Sequence, residues 1–97
     1  MSDVERLVDE TREFDETIVR AVVLKVPESD EYPGGYKVRL HYGTKDDETL
    51  LRYDNSHGVF EKHEGNDEPE EVDLGYFEAY DRFRKYVREK EEVENLW

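Results

Sequence analysis

The sequence contains no cysteine, which excludes disulfides, thiolate metal sites and a cysteine nucleophile. It is poor in basic residues. Its 14 Lys+Arg stand against 27 Asp+Glu, a formal net charge of −13. That balance excludes a generally basic nucleic-acid protein and attachment to anionic membranes through overall charge, although not a local basic site. No apolar run approaches the roughly 20 residues of a membrane-spanning helix. The stretch from Met1 to Asp15 is acidic and has no signal-peptide h-region, so the expected location is the cytoplasm. Gly-rich phosphate loops, GxSxG and HExxH are missing, and Gly34-Gly35 falls in a turn rather than between a strand and a helix. Among His41, His57 and His63 no pair has the i, i+4 spacing of a helical metal site, and neither a metal nor another cofactor is expected.

The chain that remains has 97 residues, and we expect one small α+β domain over 1–97. Mean hydropathy is −1.06, a value that raises disorder as an alternative. Aromatic residues at 12% and clean periodic segments argue for a folded domain with an acidic surface. Such a surface fits a high-salt cytoplasm, because at about 1 M salt the Debye length is near 3 Å and self-repulsion is screened.

Periodicity then sets the elements. Ser2 to Thr11 predicts a short N-terminal helix, with Ser2 or Asp3 as N-cap and Val4, Leu7 and Val8 on one face. Glu16 to Val26 is rich in β-branched residues and apolar on both faces, which predicts an inner strand. After the turn-rich Pro27 to Gly35, Tyr36 to Tyr42 alternates. Tyr36, Val38, Leu40 and Tyr42 face the core, and Lys37, Arg39 and His41 face away. Thr49 to Asp54 and Val59 to His63 predict two more strands, with Asn55-Ser56-His57-Gly58 as the turn between them and Val72 as a possible edge pairing. Gly75 to Val93 predicts a long helix capped by Asp73, with an aromatic stripe of Tyr76, Tyr80 and Phe83. The expected architecture is an antiparallel meander of three to four strands under a long C-terminal helix, with the short N-terminal helix beside it. The stretch 91–97 is expected to fray.

Positive charge is unevenly placed. Residues 32–45 hold Lys37, Arg39 and Lys45 and no acid. Lys37, Arg39 and His41 share one strand face, and Arg52 is expected beside them, which suits binding of an anion. The same pattern also describes outward positions of a half-solvated sheet. In Leu51-Arg52-Tyr53-Asp54-Asn55-Ser56-His57-Gly58, Arg52 suits a phosphate, and His57 and His63 suit general acid–base chemistry near pH 7. Asp54 suits a polar site or a self-satisfied turn. Tyr53 suits stacking on a base or filling the core. The cations from Arg82 to Lys90 suit an acidic partner or a solvated helix face paired with Glu78, Asp81 and Glu89.

From about Ile18 to Val87 the chain resembles the TumE family of toxins from prokaryotic toxin–antitoxin modules. The resemblance rests on Val22-Val23-Leu24-Lys25-Val26-Pro27 and on the strand bearing Tyr36, Arg39, Leu40 and Tyr42. It rests further on Leu51-Arg52-Tyr53-Asp54-Asn55 with His57-Gly58 and His63, and on the helix with Phe77, Tyr80 and Phe83. The family's His-x-His after the glycine corresponds here to Glu61-Lys62-His63, so Glu61 stands at one histidine position and His57 becomes the substitute. The resemblance implies a toxin restrained by a cognate antitoxin, of helix-turn-helix type. With the acidic surface it leads us to expect a halophilic archaeal source. RNA is the expected target, with His57, His63, Arg52 and Asp54 as the catalytic set and Lys37, Arg39, His41 and Tyr53 as the substrate-binding set. The alternative is a non-catalytic module that occupies a protein or nucleic-acid target.

Overall fold

A run of β-branched residues such as Thr17–Lys25 favours extended backbone, and two apolar faces require partners on both edges. In the computed structural model, which describes residues 4–56, 59–73 and 75–93, this segment is the second of six strands. The elements are β1 (Glu5–Glu13), β2 (Thr17–Lys25), β3 (Tyr36–Thr44), β4 (Thr49–Ser56), β5 (Val59–Glu64), β6 (Glu70–Val72) and α1 (Tyr76–Glu91). The sheet order is β1-β2-β3-β4-β5-β6, with every neighbouring pair antiparallel. The architecture is an α+β meander with one C-terminal helix, and it has more strands than the sequence led us to expect.

The expected N-terminal helix is a strand. Residues 5–13 pair with β2 along its whole length, with a bulge between Arg6 and Val8. A helix of nine or ten residues is marginal alone, whereas the outer edge of β2 presents a row of backbone groups that a strand satisfies. The apolar residues that suggested a helix face are not buried together: Val4 is 45% and Leu7 40% exposed. Ser2 and Asp3, the expected caps, lie outside the described residues.

Alternation along β2, β3 and β4 puts one apolar face under α1. Val19, Ala21 and Val23 of β2, Val38, Leu40 and Tyr42 of β3, Leu51 and Tyr53 of β4, and Phe60 of β5 pack with Ala79, Phe83 and Val87 of the helix. The helix lies mainly over β3 and β4. Tyr76 stacks on Tyr36 with ring centroids 4.5 Å apart, which ties the start of the helix to the start of β3. The cap of α1 is Gly75, with no side-chain hydrogen bond, so Asp73 does not act as the cap expected for it. Phe77, one residue off the stripe, is 69% exposed. Asn55 and Ser56 belong to β4 rather than to a turn. The Asn55 amide extends the sheet, because its Oδ1 accepts from Val38 N–H at 2.7 Å and its Nδ2 donates to Tyr36 C=O at 2.8 Å.

Candidate functional site

Facing away from the helix, the strands carry Lys37, Arg39 and His41 from β3, Arg52 and Asp54 from β4, and Glu61 and His63 from β5. The register turns these positions into cross-strand rows. One row reads Arg20, His41, Arg52, His63, each directly opposite the next. The row beside it reads Val22, Arg39, Asp54, Glu61. No helix among the described residues covers this face.

Arg52 is at the centre. Its Nη2 lies 3.2 Å from His63 Nε2, and its Nε lies 3.1 Å from Asp54 Oδ2. The second contact is an ion pair out of line with the N–H, so the Nε–H has no aligned acceptor. His63 Nε2 is also 3.6 Å from a Glu61 carboxylate oxygen. On the other side of Arg52, His41 Nε2 lies 3.2 Å from Thr49 Oγ1. Burial, then the Arg52 and Arg39 guanidinium groups, lower the pKa of His41, which favours its neutral form. Two strand spacings, about 10 Å, separate the backbones of His41 and His63, with Arg52 in the gap.

Gly43 shapes this arrangement. The β3–β4 register shifts between Tyr42 and Gly43. A Cβ at position 43 would lie 2.6 Å from the Glu48 carbonyl oxygen and 2.8 Å from His41 Cε1. Only glycine lets the imidazole lie along the strand toward Thr49. Gly43 and Arg20 both escaped the sequence reading. A glycine in a strand beside a histidine was the available signal for the first, and the outward phase of β2 for the second. Arg20 is held by an ion pair to Asp9 and donates to the Glu10 carbonyl at 3.1 Å.

The structure therefore brings Lys37, Arg39, His41, Arg52, Asp54 and His63 onto one face. It does not bring Tyr53 there. Tyr53 is 4% exposed and lies beneath the helix, on the other side of the sheet, where it fills the core rather than offering a ring to a base. Tyr42 is buried on that side too; its hydroxyl donates to the Glu91 carboxylate. Burial and that carboxylate push the Tyr42 phenol up. His57 lies outside the described residues. The cations of α1 are partly spent on the helix itself. Arg82 pairs with Glu78, Arg84 pairs with Asp81 and lies over the Tyr80 ring, and Lys90 lies over the Tyr86 ring. Among the described residues no group of three or more His, Asp and Glu side chains is placed to hold a metal ion. No helix among them is long and apolar enough to cross a membrane.

No curated protein and no solved structure matches the chain. The family model described as Toxin TumE matches residues 2–91, a span that takes in β1 and the whole of α1. The match covers nearly all of the sequence and both layers of the fold, and the chain belongs to the TumE toxin family.

Proposed function

We propose that the chain, as the toxin of a toxin–antitoxin system, cleaves RNA without a metal at the open sheet face, and that a cognate antitoxin of helix-turn-helix type restrains it in the cytoplasm. The observation that carries this reading is the Arg52 guanidinium set between two imidazoles, one of them favoured in its neutral form. Neutral His41 takes the proton of a ribose 2′-hydroxyl. The 2′-oxygen attacks the adjacent phosphorus while the bond from phosphorus to the 5′-oxygen breaks. His63, beside Glu61, passes a proton to that leaving oxygen. The products are a 2′,3′-cyclic phosphate and a free 5′-hydroxyl. Arg52 stabilises the charge that builds on the phosphoryl oxygens. Asp54 holds Arg52 against that position through the contact at 3.1 Å. His57 remains the second histidine expected from the sequence and can share the proton transfers.

Induction in a salt-tolerant host, with RNA integrity and viable count followed beside His63→Ala and Arg52→Ala, tests the reading. Each acid–base group contributes about 10²–10⁴-fold, so His63→Ala should abolish fragmentation within the assay. If both variants fold and remain as toxic as the parent, the cleavage reading fails. A gradual decline spread over many charge substitutions would instead identify a non-catalytic binding module.

The acidic surface supports work at high salt, in keeping with a halophilic archaeal source. Melting temperature should rise between dilute buffer and molar KCl as self-repulsion is screened. A flat or falling profile would remove that part of the reading.

A further inference from the structure

Two lanes run side by side on the open face. Along β3, Lys37, Arg39 and His41 recur at every second residue, about 6.8 Å apart. Beside them on β2, Leu24 stands directly opposite Lys37, and Val22 directly opposite Arg39. Leu24 and Val22 are half-buried aliphatic residues on a face that no helix among the described residues covers. A cationic lane and an aliphatic lane are thus about 4.8 Å apart. Both lead to the row that contains Arg52 and His63. Lys37 and Arg39 are exposed and make no ion pair among the described residues, although the chain holds 27 acidic residues.

An extended single strand of nucleic acid has the same layout, with phosphates along one edge and bases along the other. Its phosphate repeat is close to two residues of β-strand. A duplex stacks its base faces inward and offers none to an aliphatic ledge. Resting on the cleavage reading above, we propose that these lanes are a track for single-stranded RNA. Lys37 and Arg39 hold the phosphates beside the scissile one, and Val22 and Leu24 carry the neighbouring bases. Val22 and Leu24 themselves offer no hydrogen-bonding groups to base edges, and Arg6, Asp9 and Arg20, which border them on the β1 side, are paired with one another, so the track has little sequence preference. Three phosphate contacts, at Lys37, Arg39 and Arg52, set the salt response.

The test is binding of a short fluorescent 2′-O-methyl RNA, which cannot be cleaved, as a mixed-sequence single strand and as its duplex. For the full chain, the log–log slope of affinity against KCl should be about −2, since each single-strand phosphate contact gives about −0.7. The double variant Lys37→Ala, Arg39→Ala should retain a slope of about −0.7. Val22→Ser with Leu24→Ser should weaken the single strand roughly tenfold through lost apolar contact, with the slope unchanged. Circular dichroism and thermal melting confirm that each variant is folded. Equal affinity for duplex and single strand, or a slope untouched by loss of Lys37 and Arg39, would overturn the track. So would a Val22/Leu24 double variant that binds RNA normally but no longer binds its antitoxin, because the ledge would then be a protein interface. The two readings fail separately. Tight single-strand binding without cleavage of ordinary RNA ends the cleavage reading and leaves the track. Cleavage of duplex and single strand at equal rates ends the track and leaves the cleavage reading.

Discussion

The two faces of the sheet are built from the same strands and obey opposite rules. Beneath α1, Val38, Leu40, Tyr42, Leu51 and Tyr53 are buried, and no buried polar or charged residue interrupts them among the described residues. On the open face, the residues one position along from each of these are Lys37, Arg39, His41, Arg52 and Asp54. A period of two puts a dry core and a charged surface within one residue of each other. The covered face holds the fold together. The open face is free to hold charges near one another, because water and neighbouring strands share the cost of their desolvation. Stability and chemistry are therefore divided between faces, and substitutions on the two should have separable effects.

The largest expected effect belongs to the covered face. Phe83 is fully buried between helix and sheet. Phe83→Ala should cost about 3–5 kcal/mol by denaturant unfolding. A loss under about 1 kcal/mol would mean that the helix does not seal this face. Next comes Gly43, where the faces meet at a strand irregularity. Gly43→Ala drives a Cβ against the Glu48 carbonyl and the His41 ring. It should cost about 1–3 kcal/mol and shift the His41 imidazole resonances in an NMR spectrum. Unmoved resonances would show that Gly43 does not position the ring.

One titrating group gives a smaller effect. His41 has its pKa lowered in the folded chain, by burial first and then by Arg52 and Arg39. As pH falls below the ordinary histidine value of about 6.5, the unfolded chain takes up this proton before the folded chain does. Stability is therefore lost from about pH 6.5 down to the lowered folded value and is unaffected by this group above it. Between about pH 7.5 and pH 5 the parent should lose more stability than His41→Gln. A parent that loses less would place a carboxylate partner on His41. The smallest effect should come from the open face. Lys37→Ala and Arg39→Ala should each change stability by no more than about 0.5 kcal/mol, while RNA binding or cleavage weakens measurably. A large stability change at either residue would break the division between faces.

Much of this division is legible along the chain. The alternation from Tyr36 to Tyr42 reads directly as core on one side and cations on the other, and the structure agrees at each of those residues. The helix stripe is equally plain, because Tyr76, Tyr80, Phe83 and Val87 recur at helical spacing. The first element is misleading for a physical reason. Val4, Leu7 and Val8 have helical spacing, but the neighbouring edge of β2 presents backbone groups that residues 5–13 pair with as a strand. Asn55 and Ser56 read as turn residues by composition, whereas Asn55 replaces missing backbone partners at the end of β3. Tyr53 could be read either as a stacking ring or as core, and the side of the sheet under the helix decides for the core.

Strand period and charge are local properties, so the alternation, the acidic excess and the identity of the few cations that stand apart from it can be read along the chain. Which of those residues meet is a property of the assembled sheet. Arg20, His41, Arg52 and His63 come from four strands separated by turns of different length, and their alignment in one row depends on pairing register. Register is set by the burial of a whole face at once. A slip of one residue would bury the cations and expose the core, and no short stretch of sequence carries that penalty alone.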